Sequence, residues 1–172
     1  IKEFSSFGYN KHTLIENLDN IINYAELSKD NTLIEIETPL IDEMKEYSKE
    51  ELIKQEFDVF GFYISDHPVS KYKQSNSLNT LSLENNVGKY MNLVLEVMSI
   101  KEIITKINDV MAFIKASDEY KQIDLTLFKD IYKINNNLSN HDIINVYGRI
   151  EKRFDNYQMV VSKIINLTKE GQ

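Results

Sequence analysis

From about Met91 the hydrophobic pattern of this chain changes from a helical period to a two-residue period, and it holds the new period almost to the end. Five runs carry it: NLVLEVMSI (92–100), DVMAFIKA (109–116), QIDLTLF (122–128), IINVYGRIEKRF (143–154) and YQMVVSKIINL (157–167). Alternation sends successive side chains to opposite faces, so each run predicts a half-buried β-strand. The joins differ. KEIITKIN is hairpin-like, SDEYK is short and RFDNY is a tight turn. The join between the third and fourth runs, KDIYKINNNLSNHD, is long enough for a short helix around Ile131, Ile134 and Leu138.

Five strands with a helix between the third and fourth is the strand order of the OB-fold, a partly open Greek-key barrel, although period alone also allows another small barrel. Ahead of it the chain reads as helical. Asn10 is placed to cap a helix starting at Lys11, whose stripe runs through Leu14, Leu18, Ile21, Ile22 and Ala25 to about Leu27. SKDNTLIEIETP (28–39) breaks that pattern. Ser48-Lys49-Glu50-Glu51 is a capping box, and Leu52, Ile53, Phe57 and Phe60 form the buried stripe expected of the helix it opens. The expected class is α+β: an N-terminal α-helical segment and linker over residues 1–80, then a five-stranded OB-fold barrel over residues 88–170.

The charge divides along the same line. Residues 1–88 hold 8 Lys/Arg and 16 Asp/Glu, whereas residues 89–172 hold 12 and 11. The net charge of −7 thus belongs to the first part, and a polyanion has to dock on the second. The chain has no cysteine, which excludes disulfide scaffolds, thiolate zinc sites and cysteine nucleophiles. No apolar run approaches the ~20 residues of a membrane span. The chain starts at Ile1 without a signal-peptide layout, so it reads as a piece of a longer protein with a cytoplasmic address.

No active site assembles from these residues. His12, His67 and His141 lie far apart without metal-ligand spacing, and His67 reads as a side chain closing the turn before Pro68. No D-x-D or D-x-E pair falls in a strand-like run, and phosphate-loop, nucleophile-elbow and zinc-protease motifs are absent. The barrel offers a binding face instead. OB barrels bind single strands across strands two and three, between the first and last hairpin loops. Those elements, with the neighbouring fourth strand, supply Lys106, Phe113, Lys115, Arg149, Arg153, Phe154 and Tyr157. Rings stack on bases while cations follow phosphates, which suits single-stranded DNA. Phe113 and Phe128 are open to either reading, as core or as stacking residues.

Five segments then carry a resemblance. Gly61-Phe62-Tyr63-Ile64-Ser65-Asp66-His67-Pro68 resembles the G-F-Y-L-S-G-H-P segment of the bacterial C-family replicative polymerases, the DNA polymerase III alpha subunits. FSSFGYNKHTLIENLDNIINYA (4–25) resembles that family's F-D-x-F-G-x-N-R-x-x-L stretch, which leads into the last helix of a helix-hairpin-helix region. Thr105-Lys106 with Met111-Ala112-Phe113 resembles the T-K-x-G-x-x-M-A-F hairpin, Ile123–Phe128 the L-E-V-V-V-F strand, and Val146-Tyr147-Gly148-Arg149-Ile150 the V-x-G-R-V hairpin. They come in the family's order and span nearly the whole chain.

The resemblance implies the C-terminal part of a DNA-directed DNA polymerase, a nucleotidyltransferase of DNA replication, whose palm carboxylates and Mg2+ lie upstream. This piece would be non-catalytic and without a cofactor of its own, its OB domain contacting single-stranded template. The alternative is a protein-interaction module docking replisome partners: the sliding clamp, the clamp loader or the rest of the polymerase. Two departures bear on the backbone: Asp66 and Asn108-Asp109 stand where the family has glycine. A third bears on the clamp. The interval Thr32–Ile36 lacks the Gln and aromatics of the family's clamp-binding peptide, so Leu33–Ile36 reads as linker.

Overall fold

The computed structural model describes residues 8–30, 37–74 and 77–169. The chain divides into two compact units between Phe62 and Tyr63. Leu33–Ile36 lies outside the described residues.

The first unit holds three helices, α1 (Lys11–Glu16), α2 (Leu18–Asp30) and α3 (Lys49–Phe60). Asn10 caps α1 as expected, its side chain accepting from the Thr13 amide at 2.8 Å. The single helix expected from Lys11 to Leu27 is interrupted at Asn17, and the reason is a set of polar contacts. Asn17 donates to the Asp42 carbonyl at 2.9 Å and accepts from the Asp42 amide at 3.0 Å. Thr13 accepts from the Met44 amide at 2.9 Å, and Glu46 accepts from the Lys11 and His12 amides. The extended stretch before α3 is thereby laced onto α1 by side chains that take the place of a partner strand. Thr13 and Asn17 are buried, while Leu18 and Ile22 of the expected stripe are exposed. Ser48 and Glu51 form the full capping box of α3, and Gly61 ends that helix at φ 74°, a left-handed conformation natural to glycine. Phe60, expected on the buried stripe, is exposed, and Glu56 occupies the inward position.

The second unit is a closed barrel. Strands β1 (Tyr90–Ile104), β2 (Val110–Ser117), β3 (Gln122–Leu127), β4 (Ile143–Arg153) and β5 (Asn156–Asn166) pair in the order β1-β2-β3-β5-β4, with β4 closing on β1. All pairs are antiparallel except β3 with β5. Inward alternation puts Met91, Leu93, Leu95, Ile114, Leu125, Leu127, Ile144, Ile150 and Met159 into one apolar core. Burying such side chains contributes roughly 1.5–3 kcal/mol each before entropy is counted. Gly148 leaves room for the close approach of β5, since a Cβ there would stand 2.4 Å from the Val160 carbonyl oxygen.

Between β3 and β4 lies α4 (Lys129–Ile134), as the long join predicts. Ile131 and Leu138 pack on the core, but Ile134 is exposed and Tyr132 takes the inward place. The Tyr132 hydroxyl donates to Glu102, which together with burial pushes it up to about 12.

Residues 63–72 belong to the barrel unit rather than to the helices. They form a strap over the outer side of β1. A short 3-10 turn, Pro68–Tyr72, brings Val69 against Val94 and Ile143, with Tyr72 beside them. Asp66 needs no left-handed backbone. It accepts from the His67 amide at 2.9 Å and the Ser70 hydroxyl at 2.6 Å, doing with its side chain what a glycine does with dihedral freedom.

Candidate nucleic-acid interface

The outward side chains of β1, β2 and β3 form one wall. The register lines up Lys101, Phe113 and Thr126 in one row and Ser99, Lys115 and Asp124 in the next. Two hairpins bracket this wall at opposite ends. The β1–β2 loop carries Lys106 beyond the Ile104–Val110 pair. The β4–β5 turn carries Arg153 and Phe154 beyond Gln158, which pairs with Asp124. Lys101, Lys106, Lys115 and Arg153 are exposed, and among the described residues none of them has an ion-pair partner within 4.0 Å.

Asn108 adopts φ 62° and turns the first hairpin in place of a glycine, with its amide donating to the Thr105 carbonyl at 2.9 Å. Asparagine tolerates that conformation better than most residues. Phe154 at φ 56° is a different matter, because a bulky residue there carries backbone strain. Its ring is 89% exposed. A strained turn that holds an aromatic in solvent gives up stability to keep that ring at the tip.

The expected site residues do not all converge. Lys106, Phe113, Lys115, Arg153 and Phe154 belong to the wall or its bracketing hairpins. Phe113 is half-buried, and Phe128, whose core or surface role the sequence leaves open, is exposed beyond Thr126 on the same alternation. Tyr157 falls on the inward alternation of β5, packs against the core and lies under the Lys152 ammonium, 5.9 Å from its ring centre. It is not presented as a free stacking surface. Arg149 points outward from β4, opposite Tyr90 on β1 and Val160 on β5, and Val160 pairs in turn with Thr126, so β5 separates it from the row of Thr126 and Phe113.

Lys101 is the wall residue that sequence reasoning missed. A β-bulge between Val97 and Ser99 shifts the alternation, and β1 continues four residues past the expected end at Ile100. The signal was the unbroken run of Ile103 and Ile104 beyond Lys101-Glu102.

His67 is engaged at both ring nitrogens. Its Nδ1 accepts from the Val69 amide at 3.4 Å, and its Nε2 lies 3.6 Å from Glu96. Glu96 points outward from β1 yet is 1% exposed, because the strap covers it. Tyr63 donates to it at 2.6 Å and His141 Nδ1 approaches at 2.8 Å. Burial holds the His67 imidazole below its ordinary 6.5, outweighing the carboxylates of Glu96, Glu119 and Asp118. Among the described residues no three His, Asp or Glu side chains converge as metal ligands.

Residues 92–167 match the family model described as an OB-fold nucleic acid binding domain. The DNA polymerase III subunit alpha of Borreliella burgdorferi is 30% identical over 187 residues, covering 96% of this chain and 16% of its own length. The chain is a relative of the DNA polymerase III alpha subunits. The Staphylococcus epidermidis subunit agrees, at 28% identity over 95% of this chain and again 16% of its own. Thus the chain spans about a sixth of the length of the alpha subunits it matches. Among solved structures, an OBody bound to hen egg-white lysozyme aligns with TM-score 0.45 and 18% identity, over 55% of this chain and 97% of that one. Among the described residues no helix is long and apolar enough to cross a membrane.

Proposed function

We propose that this chain is the non-catalytic C-terminal part of a replicative DNA polymerase alpha subunit, and that its barrel contacts single-stranded template during DNA replication. The observation that carries this reading is the wall of β1, β2 and β3. Lys101 and Lys115 neighbour Phe113 in the register, and Lys106 and Arg153 stand in the bracketing hairpins with Phe154, all four cations exposed and without ion-pair partners among the described residues. Phosphates would lie along Lys101, Lys106, Lys115 and Arg153 while bases stack on Phe113 and Phe154. Asp124, beside Lys115, opposes the anion on the wall itself, and Asp155 does so in the β4–β5 turn. The parent enzyme would extend a primer with magnesium and carboxylates supplied from outside these residues.

Titration of a fluorescein-labelled oligo-dT at two salt concentrations tests this. Each phosphate contact contributes about 0.7 to the log–log salt slope for a single strand. Lys115→Glu and Arg153→Glu are expected to weaken binding and flatten that slope together. Unchanged affinity in both variants would remove the reading.

A second reading, docking of another replisome subunit or of the rest of the polymerase, is favoured by the exposed Val59 and Phe60 at the end of α3, with Phe62 6.1 Å from Phe60. Exposed apolar clusters of this kind are ordinarily protein contacts. The two readings concern different surfaces and do not compete for the same residues.

A further inference from the structure

Arg149, displaced from the expected groove, stands in a second patch of the same chemistry. Outward from β1, β4 and β5, the register sets Tyr90 opposite Arg149, and Asn92 opposite Tyr147, which in turn faces Lys163. The Tyr90 and Tyr147 rings stack with centroids 5.4 Å apart and planes 19° from parallel, and both are exposed. The Arg149 Nε donates to the Gly88 carbonyl at 3.3 Å, which steadies the guanidinium beside the rings. Neither Arg149 nor Lys163 has a carboxylate partner among the described residues. The nearest acid on β4 is Glu151, already accepting from Gln158 at 3.1 Å.

The chain itself marks the edge of this patch. The strap 63–72 covers the neighbouring part of the same wall, where Val94, Glu96 and Ile143 are buried beneath Val69, Tyr63 and His67. It stops short of Tyr90, Asn92, Tyr147, Arg149 and Lys163. In a chain of net charge −7, the uncovered part of the wall holds two cations and two stacked rings without a carboxylate among those five positions.

We propose that the β1–β4–β5 wall is a second binding surface for single-stranded nucleic acid, with Tyr90 and Tyr147 stacking bases and Arg149 and Lys163 holding phosphates. An anionic, ring-bearing ligand answers both features at once, whereas an apolar peptide would leave the cations unused. This inference rests on reading the barrel as a nucleic-acid-binding module. A strand long enough to leave the β2–β3 wall would pass around the barrel to this one. A strand of about six nucleotides fits within one surface, since OB modules occupy roughly 4–16.

The test titrates labelled dT6 and dT30 into the chain and into the double variant Tyr90→Ser/Tyr147→Ser, with Tyr90→Phe/Tyr147→Phe as the ring-retaining control. The Ser pair is expected to weaken dT30 by about tenfold, the scale of losing a stacked base, and to leave dT6 binding at the β1–β2–β3 wall unchanged. The Phe pair should bind like the parent chain. Photo-crosslinking of dT30 carrying 5-iododeoxyuridine supplies a second readout that needs no variant, with adducts expected on peptides containing Tyr90 or Tyr147. If Lys115→Glu weakens both oligonucleotides but the Ser pair changes neither and crosslinks fall only at Phe113 and Phe154, the second surface is overturned and the first stands. Absence of binding by the parent chain at either length would overturn both.

Discussion

The Tyr63 hydroxyl donates a 2.6 Å hydrogen bond to Oε1 of Glu96, a carboxylate on the outer face of β1 that is buried by the chain that contacts it. The other oxygen, Oε2, has no hydrogen-bond partner among the described residues and lies 3.6 Å from His67 Nε2. The Gly-Phe-Tyr to His-Pro segment is thus explained as a clasp. Its tyrosine and histidine fix the strap to the barrel, and no chemistry is asked of them.

Tyr63→Phe should therefore cost stability, because a buried carboxylate loses its phenolic donor. The expected loss is about 1–3 kcal/mol by urea denaturation. Tyr147→Phe, at an exposed ring, should lie within about 0.5 kcal/mol of the parent chain.

His67 predicts the direction of the pH response. Its folded pKa lies below the ordinary 6.5 because burial disfavours the imidazolium. The unfolded chain then binds the extra proton first, so stability is full above about pH 6.5 and falls as pH drops below it. Thermal melts between pH 7.5 and 5.5 should show a falling Tm. His67→Gln should flatten that decline relative to the parent chain, and a parallel decline in the variant would assign it elsewhere.

Gly148→Ala places a methyl 2.4 Å from the Val160 carbonyl oxygen and 2.7 Å from Met159 Cγ. The methionine can rotate away, but the strand backbone cannot without loosening β4 from β5. A loss of about 1–3 kcal/mol in chemical denaturation is expected.

Phe154→Gly should act in two directions. Relief of the positive φ is expected to stabilise the turn by about 1 kcal/mol. Loss of the exposed ring should weaken oligo-dT binding about tenfold if that ring stacks on a base. Denaturation and anisotropy on the same sample separate the two effects.

The sequence shows the barrel well because its information is local. Alternation marks all five strands, the long join marks α4, and Asn10 and Ser48 mark the helix starts. What it hides is decided by distant partners. Glu96 sits on an outward alternation and reads as solvated until the strap is laid over it. Lys101 reads as loop until the bulge after Val97 carries β1 onward. Arg149 reads as part of the groove because linear order cannot reveal that β4 closes on β1 rather than lying beside β2. In the first unit, Thr13 and Asn17 are buried and Leu18 and Ile22 exposed, since polar side chains there secure an extended backbone that pairs with no strand among the described residues.

The most direct measurement is an amide chemical-shift map of the 15N-labelled chain titrated with oligo-dT. The account predicts shifts at Lys101, Lys106, Phe113, Lys115, Thr126, Arg153 and Phe154, shrinking together as salt is raised. Shifts confined to residues 49–62, or no shifts at all, would contradict it.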